Sequence, residues 1–278
     1  MIDASPSKSA SPAHEAPAKP KESWGSFAWF CVKLVLFVLV FRSFVLTSFN
    51  IPSESMMPRL LVGDYLFAAK WPYGYSRYSL PFDAPLIPGR IFAQLPERGD
   101  VVIFKHPVDH TDYIKRVIGL PGDKVQLVAG VVHLNEQPVG LERVEDLVLP
   151  IAATGRCAQA RFSQRRPDGS FACVYPQFEE TLPGGHSYRV LDFDLRPSDT
   201  TAAIVVPEGR LFLMGDNRDN SLDSRFPAQA GAGIGLVPIE NLVGRASFLY
   251  FSTNNDPELA KPWTWFSGIR WQRLGGTI

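Results

Sequence analysis

The chain has 278 residues, with 28 basic and 28 acidic side chains and therefore a formal net charge of zero. Hydrophobic residues make up 45% of the sequence and charged residues 20%, which are ordinary values for a globular protein. This balance excludes an acidic disordered chain and a polybasic nucleic-acid-binding chain, so no nucleic-acid partner is predicted. The length is sufficient for one large domain or two small ones.

The N-terminal region divides into a polar tail and an apolar run. Residues 1–23 contain four prolines and no aromatic residue, and such a stretch cannot bury enough apolar surface to offset the entropy of ordering it. The run from Phe27 to Leu46 is almost entirely apolar, and a helix of that length spans about 30 Å, the thickness of a bilayer core. The sequence predicts a disordered cytoplasmic tail over 1–23 and a single transmembrane anchor over 24–48.

The orientation of this anchor follows from the basic residues before it. Lys8, Lys19 and Lys21 precede the apolar run, and basic residues favour the cytoplasmic side of a membrane. We therefore expect a cytoplasmic N-terminus and an exported domain. A cleaved signal peptide would need a shorter run and a small-residue cleavage site. A buried core helix is the other alternative, but a run that is apolar all round fits lipid better.

The rest of the chain is patterned as β structure. Short apolar runs are bounded by Gly, Pro, Asp and Asn, which is typical of antiparallel strands. These runs cover residues 100–104, 113–120, 124–128, 210–215 and 241–251. The sequence predicts a mostly β fold whose core has two parts, 49–128 and 205–278. A β-rich insertion domain over 129–204, with a less regular pattern, separates them.

Two of the three cysteines, Cys157 and Cys173, lie in this predicted insertion. If the insertion is extracytoplasmic, they can form a disulfide, and closing a loop of this size would stabilise the fold by about 3 kcal/mol. Two free buried thiols are the alternative, and the sequence leaves both open. The third cysteine, Cys31, lies in the predicted anchor.

A serine pair follows the apolar run directly. Pro52 and Pro58 restrict their neighbours to extended geometry, and in an extended chain Ser53 and Ser55 lie on one face. One hydroxyl could then attack a substrate while the other stabilises charge. Taken alone the pattern is weak, because two serines in this spacing are usually part of a solvated loop.

A serine nucleophile needs a base, and Lys115 is a candidate. In a strand, Lys115 shares a face with Tyr113 and Val117, which would desolvate its ammonium and lower its pKa from about 10.4. A neutral lysine amine can take a proton from serine. The alternative, which the sequence alone favours, is a lysine that reaches solvent.

The histidines give no comparable site. His106 and His110 share a segment with Asp109, but no further ligand cluster supports a metal, so a polar loop is the better interpretation. We predict no metal and no cofactor.

A polar segment over 215–225 follows another apolar run. Its residues could form only a turn. However, Ser221, Asp223 and Arg225 alternate, which would allow a hydrogen-bond donor and an ion pair to brace a neighbouring site from one side.

Five segments together resemble a known family, the bacterial type I signal peptidases. They are IPSESMMPRLLVGD, RGDVVIF, YIKRVIGLPGD, GDNRDNSLDSR and GLVPIENLVGRA, and they occur in the family's order. The resemblance covers about 27–128 and 205–278, while the insertion matches no motif. It implies a membrane-bound serine endopeptidase that removes signal peptides from exported preproteins after Ala-x-Ala-type sites.

The resemblance also implies roles for individual residues. Ser55 matches the nucleophile and Lys115 the general base, while Ser53 and the backbone N–H of Ser55 match the oxyanion hole. Ser221 matches the serine that orients the lysine. The remaining matches are the structural pair Asp223 and Arg225 and the lining of the shallow substrate pockets, Phe49, Ile51, Pro52, Val102 and Ile114.

For the location, the resemblance implies a single-pass protein of the bacterial inner membrane, with its catalytic domain in the periplasm and the phospholipid bilayer as a partner. Self-cleaving repressors of the DNA-damage response share this Ser/Lys chemistry, but they are soluble and carry a DNA-binding domain. A non-catalytic β domain tethered to the membrane, which binds envelope partners, is the alternative from another class.

Overall fold

The structure, a computed structural model, describes residues 24–151, 157–253 and 268–278. The chain divides into two units, 1–38 and 39–278. The predicted tail 1–23 lies outside the described residues. An apolar α-helix, α1, spans Trp24–Phe44.

Helix α1 is long and apolar enough to cross a membrane, by its length and composition. Its large apolar side chains are exposed, as expected for a helix whose solvent is lipid. Hydrogen bonds close its C-terminal end, where Ser43 Oγ donates to the carbonyl of Leu39 and Thr47 Oγ1 to that of Arg42. Residues 46–48, which the prediction placed in the anchor, belong to a strand in the structure.

The rest of the described residues contain seventeen strands and eight short 3₁₀ helices, and the strands confirm the predicted mostly β, antiparallel fold. The strands are β1 (Leu46–Asn50), β2 (Asp64–Ala69), β3 (Tyr75–Ser76), β4 (Arg90–Ile91), β5 (Val101–Lys105), β6 (Asp112–Gly119), β7 (Lys124–Val128), β8 (Val131–Leu134), β9 (Gln137–Pro138), β10 (Gly140–Pro150), β11 (Ser163–Arg165), β12 (Phe171–Thr181), β13 (Ser187–Leu191), β14 (Ile204–Val205), β15 (Arg210–Met214), β16 (Val237–Pro238) and β17 (Leu242–Ser252). All five runs that the sequence marks as strands are strands, with ends that differ by one residue or less.

A seven-stranded antiparallel sheet in the order β1-β2-β17-β5-β6-β15-β16 forms the centre of the second unit. Both of its faces are covered. Val101 and Ile103 pack into one hydrophobic cluster, and Val102 and Phe104 pack into another. Burial on both faces explains why this strand is apolar throughout rather than alternating.

The predicted insertion holds two long strands, β10 and β12, which pair over most of their length and form a sheet with β11 and β13. Its sequence pattern looked irregular because most residues of β10 are exposed, its half-buried positions are unevenly spaced, and a bulge interrupts the pairing. The hairpin of β7 and β8 crosses residue 129, where the insertion was predicted to begin.

The disulfide between Cys157 and Cys173 is present, and Cys173 is fully buried in β12. It belongs to a cluster with Phe162 and Tyr175, and Met57 and Leu61 pack into the same cluster. This packing fixes the segment that follows Ser55 against the second sheet.

Candidate active site

The serine pair lies on a turn that follows β1. The chain is irregular through Pro52, bends at Ser53 and then turns, with a hydrogen bond from Met57 N to the Glu54 carbonyl at 3.0 Å. The prediction of an extended segment is therefore wrong beyond Ser53. The turn still brings the two hydroxyls together, because Ser53 Oγ lies 3.3 Å from Ser55 Oγ.

Lys115 lies on β6, and its side chain reaches this turn. Its Nζ donates a hydrogen bond to Ser55 Oγ at 2.7 Å and another to the carbonyl of Ile114 at 2.9 Å. Lys115 is 3% exposed and Ser55 is 8% exposed, so the contact is nearly free of solvent. The sequence-based alternative, a lysine that reaches solvent, is wrong.

The environment of Lys115 makes its ammonium easier to deprotonate. Burial lowers the pKa of Lys115 from 10.5 to about 8, and the negative charges of Asp223 and Asp216 oppose this effect only in part. Neither carboxylate is hydrogen-bonded to the amine, whose bonds go to a hydroxyl and a carbonyl. Loss of the proton therefore breaks no ion pair.

The polar segment over 215–225 packs against the serine turn. Asn217 donates from its backbone N–H to the Ser55 carbonyl at 3.1 Å and from Nδ2 to the Glu54 carbonyl at 3.2 Å. This close packing of the polar segment against the serine turn requires glycine at position 215. A Cβ there would lie 2.5 Å from the Ser55 carbonyl oxygen and 2.3 Å from Ser221 Oγ. Asn217 is fully buried, and the sequence analysis did not find its role.

Asp223 and Arg225 form a buried ion pair beside this turn. Arg225 Nε lies 2.9 Å from Asp223 Oδ1, and its second donor nitrogen lies 3.0 Å from Oδ2. Burial by itself would raise the pKa of Asp223, but the charge and hydrogen bonds of Arg225, together with the hydrogen bond from Gly215 N and the nearby Ser221 hydroxyl, hold the pKa below its ordinary value. Asp223 Oδ2 also accepts from Gly215 N, so the pair fixes the start of the polar segment.

A second buried pair, Arg116 with Asp216, lies behind the site. The two bonds measure 2.7 and 2.6 Å, and Arg116 also donates to the Gly99 carbonyl. This pair was not predicted from the sequence, although a signal existed, since each residue lies within a segment singled out for its chemistry.

A cavity of about 650 Å³ contains the site. Most of the predicted residues line it, namely Phe49, Ile51, Pro52, Ser53, Ser55, Ile114, Lys115 and Ser221. Val102 does not, and that part of the pocket prediction is wrong. It is fully buried in the cluster with Tyr73 and Phe104, while its neighbour Ile103 lines the cavity.

Ser221 lies on the cavity wall with a buried hydroxyl that forms no short hydrogen bond to a described residue, although it lies close enough to the carboxylate of Asp223 to help lower the pKa of Asp223. No hydrogen bond joins it to Lys115 in this arrangement, in which both bonds of Lys115 go to other oxygens.

Three carboxylates near the cavity, those of Asp192, Asp199 and Asp219, lie within 4.8 Å of one another. Burial, followed by the charges of the other two, raises the pKa of Asp192 to about 6. Arginines already approach two of them, since Arg196 pairs with Asp219 at 2.7 Å and Arg225 lies 3.6 Å from Asp199. The cluster is an ion-pair network, and we assign no metal to it.

Comparison with known proteins places the sequence of this chain in a family. The sequence model described as "Signal peptidase, peptidase S26" matches residues 24–251. The chain belongs to the S26 signal peptidase family. It is 39% identical over 245 residues to signal peptidase I of Rickettsia conorii, covering 84% of this chain and 80% of that protein. It is 40% identical over 244 residues to signal peptidase I of Rickettsia canadensis, covering 84% and 80%.

Among solved structures, a signal peptidase I from Enterococcus faecalis aligns with 55% of this chain and 98% of its own, at 22% identity and a TM-score of 0.30. Membership of the S26 family makes the chain a serine endopeptidase, and removal of signal peptides is the activity of that family. The predicted resemblance is therefore confirmed, and the alternative of a non-catalytic β domain is excluded.

Proposed function

We propose that this chain is a membrane-bound peptidase that cleaves exported preproteins after Ala-x-Ala-type sites, with Ser55 as nucleophile and Lys115 as general base. The observation that carries the proposal is the buried contact of 2.7 Å between Lys115 Nζ and Ser55 Oγ. The two residues are 60 positions apart in the sequence. The fold, and not the local geometry of the chain, therefore brings this lysine to the serine hydroxyl.

Acylation begins with the neutral amine of Lys115, which takes the proton from Ser55 Oγ as the oxygen attacks the carbonyl carbon of the scissile bond. The carbonyl oxygen becomes negatively charged, and the Ser53 hydroxyl and the Ser55 backbone N–H stabilise it. The C–N bond then breaks, the new amine takes the proton from Lys115, and the acyl group stays on Ser55. In deacylation the neutral amine of Lys115 takes a proton from a water molecule as that water attacks the acyl carbon. The bond between the acyl carbon and Ser55 Oγ then breaks, and Ser55 Oγ takes the proton back from Lys115.

Ser221 is proposed to orient Lys115 during these steps. A lysine side chain has several rotatable bonds, so a base that must transfer protons in one direction needs a second hydrogen-bond partner. The support is indirect, since the buried Ser221 hydroxyl lines the same cavity and forms no short hydrogen bond to another described residue.

The substrate is proposed to bind as an extended chain against Phe49, Ile51, Pro52 and Ile114. These side chains form an apolar wall of the cavity, and Ile51 is 2% exposed. A shallow apolar surface favours small side chains such as alanine at the contacting positions, because a larger side chain finds no space to fill.

The location is part of the same proposal. Helix α1 would anchor the chain in the bacterial inner membrane, with the N-terminus in the cytoplasm and the catalytic domain in the periplasm. The disulfide of Cys157 with Cys173 supports an extracytoplasmic location, since cytosolic thiols are kept reduced. A signal peptide is itself apolar and membrane-embedded, so the enzyme and its substrate would meet at the bilayer.

The test is cleavage of a purified preprotein by the full chain and by two variants, Ser55→Ala and Lys115→Met. We expect each substitution to lower kcat by at least about a thousandfold, since the two residues act as a unit. Lys124→Met is the matched control, because Lys124 forms a surface pair with Glu136. Cleavage at the wild-type rate by a folded Ser55→Ala or Lys115→Met protein would refute the proposal.

A further inference from the structure

Residues 226–235 form a compact loop beside the active site, which we call the cleft loop. Its ends meet, with a hydrogen bond from Gly235 N to the Phe226 carbonyl at 3.0 Å. Ser224 Oγ donates to the Gly235 carbonyl at 2.6 Å, and Ile234 is fully buried in the cluster on one face of the main sheet. The base of the loop is therefore fixed, and a loop closed in this way presents its tip as one rigid surface.

The cleft loop contributes to the cavity that holds Ser55 and Lys115. Three of its residues line that cavity, namely Phe226, Gly231 and Ala232. Two of these have no side chain or only a methyl group, and Gly231 adopts a left-handed conformation with φ of 67° that suits glycine. The wall that the loop forms is made mainly of backbone and small side chains, so it leaves room in the cleft.

The tip of the cleft loop is held by the turn between β5 and β6. Asp109 Oδ2 accepts a hydrogen bond from Gly231 N at 2.8 Å. His106 is fully buried, and its Nδ1 faces the backbone N–H groups of Val108 and Asp109 at 3.2 and 3.4 Å. In the tautomer with the proton on Nε2, Nδ1 accepts from these N–H groups and Nε2 donates to the Gly233 carbonyl at 3.2 Å.

Asp109 is ionised at any working pH, so its hydrogen bond from Gly231 N is charge-assisted. The hydroxyl and the backbone N–H of Thr111, together with the Gly231 N–H, lower the pKa of Asp109 to about 2. The turn that carries His106 and Asp109 is also continuous with β6, the strand that carries Lys115. The His106 ring lies 4.9 Å from the ring of Tyr113, which lines the cavity two residues before Lys115. The same turn therefore sets the position of the cleft loop relative to the base.

We propose that the cleft loop is a wall of the substrate site, that Ala232 limits the size of the preprotein side chain accepted beside it, and that Asp109 is the residue that positions this wall. The inference rests on the proposed peptidase function. It assigns a role in specificity to the cleft loop and to the turn between β5 and β6. Apart from residues at their ends, neither lies within the five segments that carry the sequence resemblance. His106 acts with Asp109 through the hydrogen bond between its Nε2 and the Gly233 carbonyl.

The size limit is tested with Ala232→Leu and a matched control, Ala230→Leu, which places the same side chain on the exposed part of the loop. The substrates are one preprotein and six variants with leucine at each position from four before to two after the cleaved bond. We expect the penalty for leucine at one of these positions, or at two neighbours, to grow about tenfold in Ala232→Leu. Ala230→Leu should retain the wild-type profile. An Ala232→Leu profile that parallels the wild type at all six positions would overturn the assignment.

The positioning role is tested with Asp109→Asn, which can satisfy either Thr111 or Gly231 as an acceptor but not both. The control is Thr111→Val, which removes the hydroxyl bond and leaves the bond to Gly231. In Asp109→Asn we expect KM for the preprotein to rise about three- to tenfold, with a smaller change in kcat. Amide hydrogen exchange over the cleft loop should become at least about tenfold faster in that variant and stay unchanged in Thr111→Val.

The outcomes separate this inference from the function on which it rests. If the wild type cleaves and Ser55→Ala does not, the peptidase function stands whatever the loop variants do. If Asp109→Asn then matches the wild type in both KM and loop exchange, the positioning role is wrong.

Discussion

Lys115 and Arg116 are neighbours on β6 and both are buried, yet their charges are compensated differently. Arg116 forms two bonds to the carboxylate of Asp216, at 2.7 and 2.6 Å. Lys115 is bonded to a hydroxyl and a carbonyl, both of them neutral acceptors. Successive residues of a strand point to opposite sides, so one strand can hold a fixed cation on one side and a titratable amine on the other. The catalytic proposal depends on this difference.

The first prediction concerns the pH dependence of cleavage. Because burial lowers the pKa of Lys115 to about 8 and the base must be neutral, kcat/KM should rise about tenfold per pH unit below pH 8 and level off above it. Initial rates on one preprotein from pH 5 to pH 10 measure this. A profile that is flat from pH 5 to pH 9 would contradict the assignment of Lys115 as the base.

The second prediction concerns stability. The pKa of Lys115 is lower in the folded chain, about 8, than the ordinary value of 10.5, so the folded state binds fewer protons between these values. The free energy of unfolding should therefore rise with pH across this window, by about 3 kcal/mol, and the destabilisation should be full below pH 8.

The substitution Lys115→Met removes the destabilisation that comes from burying the charged amine. At pH 7 the variant should be more stable than the wild type by up to about 3 kcal/mol, with the difference shrinking between pH 8 and pH 10.5. Denaturant unfolding at several pH values measures the difference, and Lys124→Met should show none of it. Equal stability of Lys115→Met and the wild type at pH 7 would show that the folded pKa is not lowered.

The third prediction concerns the proposed oxyanion hole. Ser53 is exposed and its hydroxyl lies 3.3 Å from Ser55 Oγ, so it can turn toward the carbonyl oxygen under attack. Ser53→Ala should lower kcat about 100- to 1,000-fold with little change in KM, since the bond strengthens in the transition state. Ser53→Thr, which keeps the hydroxyl, should restore much of the rate. A rise in KM with no change in kcat would instead assign Ser53 to substrate binding.

The fourth prediction concerns the disulfide. Cys157 and Cys173 are separated by 16 positions, and a bridge that closes a loop of this size stabilises a fold by about 3 kcal/mol. The double variant Cys157→Ala/Cys173→Ala should lose about that much stability. Alkylation of the denatured, unreduced wild type should label one thiol, Cys31, and reduction should expose two more. Three labelled thiols without reductant would contradict the bridge.

Local patterns in the sequence were sufficient for helix α1 and for five of the strands, and they marked the segments that meet at the cavity. An apolar run of bilayer length needs no tertiary partner to be recognised, and α1 differs from the prediction only at its end. The core strands β5, β6, β7, β15 and β17 were each marked by a short apolar run between turn residues. The segments that carry Ser55, Lys115 and Ser221 stood out because polar residues there adjoin such runs.

The insertion was harder to predict because its long strands face water along much of their length. The residues of β10 do not form a continuous apolar run, and their regularity comes from pairing with β12. A strand that is defined mainly by its neighbour leaves little trace in its own sequence. The same limit applies to the cleft loop, whose small residues gave no pattern.

Sequence alone determined which residues were candidates for the chemistry, and tertiary structure decided which of them meet and in what state. Strand alternation could not decide between Val102 and Ile103, because β5 is buried on both faces. The turn at Ser53, the 2.7 Å contact of Lys115 with Ser55 and the lowered pKa of that lysine all depend on segments about 60 or more positions apart. Composition and periodicity act over a few residues, whereas desolvation is set by everything that packs around an amine, so only the folded chain fixes it.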